Sequence, residues 1–168
     1  MNTDSGKTKS DYFTTRDGNL LDEFADGLNR TLPVNKWKPE VVITIPAHDE
    51  EKLIARCIEA LAHQQTCQGK NLDRRTYEIL IFCHNCTDDT RNRSLMTLAK
   101  FPDLNLTVLE SNRPEINNVG AVRRVLMRIA SKRVAGPHGY IAMTDADSVA
   151  DSHWVANIMK FIGSCYGL

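Results

Sequence analysis

Long apolar runs, a surplus of either charge and an ordered set of cysteines are all missing from this chain of 168 residues. No stretch approaches the ~20 apolar residues that a membrane span needs. Met1–Ser10 holds no apolar block, so a secretory signal is not expected there. Basic residues number 21 and acidic residues 21, for a net charge of zero. Nucleic acid as the main partner would favour a strongly basic chain, so that class is set aside. The 5 cysteines are odd in number and irregularly spaced. A disulfide framework is therefore not expected, and a reducing, cytoplasmic setting is. With only 9 Gly and 6 Pro the chain is neither collagen-like nor of low complexity. What remains is ordinary for a globular domain: 42% hydrophobic and 25% charged residues. One domain of this size buries roughly two-thirds of its unfolded surface.

Residues 1–17 are polar and read as a tail. Leu20, Leu21, Phe24, Ala25, Leu28 and Leu32 recur at helical spacing, which predicts a short amphipathic helix over Gly18–Leu32. Pro33 and Pro39 bracket a linker, so residues 1–39 form a tail, helix and linker, and residues 40–168 form the main domain. Val41–Ile45 is a β-branched run that ends at Pro46, a strand by composition. Tyr77–Cys83, Leu104–Leu109 and Tyr140–Met143 give three more strands. Between them lie expected helices: one capped by Asp49 and running to Gln65, one capped by Thr87, and one over Asn117–Val134. A last helix starts at Asp151 and runs through Phe161. This alternation predicts an α/β three-layer sandwich with a mostly parallel sheet. In such sheets ligands bind beyond the carboxyl ends of the strands, where strand order reverses.

The loops after the strands therefore hold the candidate chemistry. Thr144-Asp145-Ala146-Asp147-Ser148 carries two carboxylates two residues apart, which share a side while the chain is extended. They offer hard oxygen ligands to Mg²⁺ or Mn²⁺, although a capping and turn cluster would look the same. Pro46-Ala47-His48-Asp49-Glu50-Glu51 follows the first strand; His48 could stack on a base, or be a plain surface residue. Cys83-His84-Asn85-Cys86 is a C-x-x-C motif between strand and helix, where a thioredoxin-like pair would sit. Two small, partly buried residues are the simpler reading, with Asn85 fixing the turn or touching a ligand. On the third crossover helix Arg124, Arg128 and Lys132 form one stripe, read as a solvated face. Arg123 borders the apolar side near the helix start, where it could meet an anion.

Taken in order, these motifs resemble the amino-terminal, donor-binding half of a family 2 glycosyltransferase of the GT-A fold. The resemblance spans roughly Val41–Phe161. It rests on Ile45–Glu51, on Tyr77-Glu78-Ile79 with Asn85–Thr90, on Gly120 with Arg123-Arg124, and on Thr144–Asp147. It implies transfer of a sugar from a nucleotide-diphosphate donor with Mn²⁺ or Mg²⁺ held by a D-x-D motif. Asp147 would be the main metal ligand, with Asp145 near the metal or the ribose. Pro46, Ala47 and His48 would line the base pocket and Arg123 would lie near the nucleotide. Glu50, Cys83, Asn85 and Ala146 complete the donor-site set. Many relatives end the second strand on an aspartate that pairs with uracil; Cys83 stands there, which puts a uridine donor in question. His48 replaces a commoner Tyr or Phe. A complete family domain is longer than this chain, and the resemblance expects the acceptor site and carboxylate base beyond Leu168.

Three other readings compete. A non-catalytic binding or assembly module could keep this fold, with an open edge at the fourth strand pairing two copies into a homodimer. A thiol oxidoreductase would use Cys83 and Cys86. A dehalogenase-like phosphatase is suggested by Met143–Val149, but too few residues follow Val149 to hold that family's remaining motifs.

Overall fold

The computed structural model describes residues 15–35 and 37–166; the polar tail expected over residues 1–14 lies outside them. Four strands, β1 (Val41–Ala47), β2 (Tyr77–His84), β3 (Leu106–Ser111) and β4 (Tyr140–Met143), pair in the order β3-β2-β1-β4. Every pairing is parallel, with Val41 opposite both Tyr77 and Tyr140, and Ile79 opposite Leu106. All of β1 and β2 is buried, which explains their near-continuous apolar sequence.

Helices α1 (Thr15–Thr31), α2 (Ile54–Ala62), α3 (Thr90–Leu98), α4 (Val119–Arg133) and α5 (Trp154–Tyr166) cover the sheet. The strand period of two sorts the core into two layers. Val41, Ile43, Ile45, Tyr77, Ile79, Ile81 and Cys83 pack with Ile54, Ile58 and Leu61 of α2 and Val155 of α5. Val42, Leu80 and Phe82 pack on the other face with Val122, Val125, Leu126 and Ile129 of α4. Leu21 and Ala25 of α1 belong to that second layer, and the Phe24 and Phe82 rings stand 6.5 Å apart. The α/β three-layer architecture is thus as expected from the strand–helix alternation.

Local differences have clear causes. The stripe of Arg124, Arg128 and Lys132 is the seat of α1 and not a bare solvated face. Arg124 Nε donates to Asp22 at 3.0 Å, Arg128 Nε donates to Asp26 at 2.9 Å, and Lys132 Nζ also reaches Asp26. Asp49 does not cap α2, which begins only at Ile54 after a turn closed by the Glu50 carbonyl. Thr87 does not cap α3; Asp88 accepts from the Thr90 amide at 2.9 Å instead. Asn118 caps α4, its side-chain oxygen accepting from the Ala121 amide at 2.9 Å. At the far end of α4, Arg133 Nε donates to both oxygens of buried Glu78, at 2.9 and 3.0 Å. That pair ties the end of α4 to the start of β2.

Candidate active site

Strand order reverses between β1 and β4, so the loops leaving these two strands diverge and open a crevice. The β1 loop is held by the β2 loop. Asp49 takes a φ of 56° and Asn85 a φ of 49°, the left-handed region that these two residue types tolerate best. In that conformation the Asp49 carboxylate accepts from the Thr87 amide at 2.7 Å and the Asp88 amide at 3.3 Å. The Glu50 amide donates to Thr90 Oγ1 at 2.7 Å, and the Glu51 amide to Asp88 at 3.0 Å. Asn85 Nδ2 donates to the Ile116 carbonyl at 2.8 Å, joining the loop that leads into α4. Asn85 therefore does fix the turn.

These contacts frame a cleft of about 490 Å³ lined by Pro46, His48, Glu50, His84, Asn85, Asn117, Asn118, Val119, Asp145, Ala146 and Asp147. On one wall the His48 and His84 rings stand 5.1 Å apart at 31°. His48 Nδ1 lies 2.9 Å from the His84 carbonyl oxygen. His84 Nδ1 is buried without a hydrogen-bond partner among the described residues. Burial, followed by the neighbouring His48, holds the His84 pKa below its usual value, which favours a neutral ring. On the other wall, Arg123 Nη2 donates to Asp145 Oδ1 at 3.1 Å. Glu50 between them has its pKa raised, first by burial and then by the charges of Asp147, Asp88 and Asp145. The cleft thus gathers the carboxylates of Asp145, Asp147 and Glu50 together with the paired rings of His48 and His84.

A family model for Glycosyl transferase family 2 matches residues 42–166. The chain belongs to this family. The solved structure of Staphylococcus aureus TarS 1-349 aligns at a TM-score of 0.54 and 21% identity, over 74% of this chain and 32% of that one. The same TarS fragment in complex with UDP aligns equally well, at 0.54. The mannosyltransferase PcManGT from Pyrobaculum calidifontis, in complex with GDP-Man and Mn²⁺, aligns at 0.55 and 20% identity, over 88% of this chain and 40% of that one. These likenesses show a shared GT-A fold. The chain spans a third to two-fifths of the length of those structures. No curated protein sequence matches it.

Within this family 2 domain, the cleft unites Pro46, His48, Glu50, Asn85, Asp145, Ala146 and Asp147, all named from the sequence. Arg123 joins them through Asp145. Ala47 and Cys83 do not reach the cleft: both are buried in the core layer on the α2 face. The neighbour of Cys83 along β2, His84, points the other way and supplies the wall. Sequence reasoning missed His84 and the Asn117-Asn118-Val119 entrance to α4. Asn-Asn ahead of an apolar helix was a cap signal that could have located the latter. Burial pushes the Cys83 thiol up to about 12 and raises Cys86 as well. A reactive thiolate needs the opposite shift, so nothing at the C-x-x-C motif favours thiol redox chemistry. Asp145, Asp147 and Glu50 offer oxygen donors alone, and the causes that raise the Glu50 pKa are burial and its acidic neighbours. That donor chemistry fits a hard divalent ion. Among the described residues no helix is long and apolar enough to cross a membrane.

Proposed function

We propose that the cleft binds a nucleotide-diphosphate sugar together with Mn²⁺ or Mg²⁺ and serves transfer of its sugar to an acceptor, in the cytoplasm. The observation that carries this reading is the convergence of Asp145, Asp147 and Glu50, with Arg123 on Asp145, in one cleft with the paired rings of His48 and His84. The base would lie against the paired rings of His48 and His84. Asp145 and Asp147 would hold the metal, and Arg123 would turn from Asp145 towards the diphosphate. The bound ion would neutralise the diphosphate and improve it as a leaving group. UDP in the TarS complex and GDP-Man with Mn²⁺ in PcManGT make the nucleotide-sugar class the natural one to test.

A second reading keeps the fold for binding or assembly without transfer. The position of β4 at the sheet edge favours it, and pairing of two copies along that edge is compatible with either reading. The test is the melting temperature against a panel of nucleoside diphosphates, with Mn²⁺ or with chelator. A ligand at ~100 times its dissociation constant stabilises by about 2.7 kcal/mol if it binds only the native state. A Mn²⁺-dependent rise for one base, lost in Asp147→Asn, is the expected result. No rise for any of them would leave the second reading standing.

A further inference from the structure

Beside the cleft, His48 of the β1 loop, Asp49 next to it and Cys86 of the β2 loop each place one ligand atom within 4.8 Å of the others. Three different donor types meet there: an imidazole nitrogen, a carboxylate oxygen and a thiol sulfur. The cation-binding chemistry of this trio differs from that of the all-oxygen set at Asp145 and Asp147. We propose that His48, Asp49 and Cys86 form a second metal site, selective for a thiophilic divalent cation of the Zn²⁺ type, that staples the β1 loop to the β2 loop.

The surrounding hydrogen bonds prepare each ligand. A carbonyl oxygen only accepts, so the 2.9 Å contact to the His84 carbonyl puts the proton of His48 on Nδ1. The lone pair is then on Nε2, which lies 3.8 Å from Asp49 Oδ2. Backbone bonding of the distal ring nitrogen is the usual way a metal-binding imidazole is oriented. Asp49 Oδ1 takes the amides of Thr87 and Asp88, while Oδ2 takes no amide among the described residues; it accepts from the Thr87 hydroxyl at 3.2 Å and faces His48 Nε2. Oδ2 is therefore the oxygen left for a cation. Cys86 is half-buried, and its Sγ donates weakly to the Ala47 carbonyl at 3.6 Å.

Zn²⁺ bonds of ~2.0–2.3 Å need ligand atoms on the order of 3–4 Å apart, so only small side-chain adjustments are required. On binding, the S–H bond of Cys86 breaks, a sulfur–metal bond forms, and the proton passes to solvent. Water completes a tetrahedron. A sulfur–nitrogen–oxygen set prefers Zn²⁺ or Co²⁺ to Mg²⁺ or Mn²⁺. The two sites of the domain would then take different ions, one hard and one borderline. The bound ion would also hold the His48 ring that faces the cleft.

The probe is Co²⁺ added to the full chain with Cys67 and Cys165 replaced by serine, without nucleotide. The expected result is a sulfur-to-cobalt charge-transfer band saturating at one ion per chain. Zn²⁺ should abolish the band and excess Mg²⁺ should not. In Cys86→Ser the band should vanish and Co²⁺ affinity fall at least ~10-fold, while an unchanged metal-free melting temperature shows that the fold is kept. In Asp147→Asn the band should persist. No band at all, or a band surviving in Cys86→Ser, would overturn the proposal, as would a band lost in Asp147→Asn. Because no nucleotide is present, failure of the donor-site reading would leave this result unaffected.

Discussion

Glu78 is fully buried on the α4 face of β2, and Arg133 opposite it is 7% exposed. Asn35 Nδ2 also donates to Glu78, at 2.8 Å, and Arg133 Nη1 donates to the Pro33 carbonyl at 3.1 Å. A pair this deep contributes little net stability when intact, but removing one member strands the other charge. Glu78→Ala should therefore cost about 3–5 kcal/mol in urea unfolding, whereas Glu78→Met combined with Arg133→Met should recover most of that. Additive losses in the double variant would mean the pair is not coupled. Glu50 has the opposite character, since its raised pKa makes the ionised form a liability in the metal-free protein. A raised folded value means that stability is present below the ordinary value of 4.5 and is lost as pH rises through the folded one. At neutral pH, Glu50→Gln should then raise the melting temperature in chelator while weakening Mn²⁺ binding by calorimetry. In the unaltered chain, Mn²⁺ affinity should start to fall at a pH above the ordinary carboxylate range. If Glu50→Gln changes neither quantity, Glu50 is not part of the acid set.

At the scale of elements, α1 rests on α4 through a stripe of exposed ion pairs over an apolar seam of Leu21 and Ala25. The hydrogen bond from Arg124 lowers the pKa of Asp22, and those from Arg128 and Lys132 hold Asp26 well below the usual carboxylate range. Lowered folded values mean a contribution present above the ordinary value of 3.8 and lost as pH falls through the folded ones. Amide exchange should therefore accelerate in α1 at acid pH before it does in β1 and β2. Equal protection of α1 and β1 throughout would show that the seam alone seats the helix. The same elements explain what the sequence disclosed. Strand runs such as Val41–Ile45 and Tyr77–Cys83 were legible because burial on both faces demands continuous β-branched and apolar residues. Asp145 and Asp147 were legible as cleft residues because ligand sites of parallel sheets lie beyond the carboxyl ends of the strands, and both line the cleft. Caps were misread: Asp49 and Thr87 have cap chemistry, yet they bond each other across two loops, a tertiary contact with no local signature. Cys83 was misplaced by one residue of parity, since the even positions of β2 share the α4 face with Pro46 and the odd ones do not. The basic stripe of α4 lacked its explanation because its partners, Asp22 and Asp26, lie about a hundred residues earlier in the chain.

For the whole molecule, the parallel sheet has two edges, and they differ. On β3, Glu110 meets Arg91 of α3 at 3.2 Å, and charge on an edge strand discourages pairing along it. β4 has no outer neighbour among the described residues. Its inward amides are those of Tyr140 and Thr144, which donate to Glu40 and Thr44 at 2.7 and 3.2 Å. The two-residue period then turns the amides of Ile141 and Met143 outward. Val149, shortly after the strand, is 56% exposed and adds apolar surface nearby. A net charge of zero gives two copies no long-range repulsion to overcome. Light scattering at micromolar concentration should accordingly return twice the chain mass. Met143→Pro removes an outward donor and leaves the inward ladder to β1 in place. That variant should run as a monomer with its far-ultraviolet dichroism retained. A monomeric unaltered chain would exclude the edge as a dimer contact. A dimeric Met143→Pro chain would move the contact to another surface.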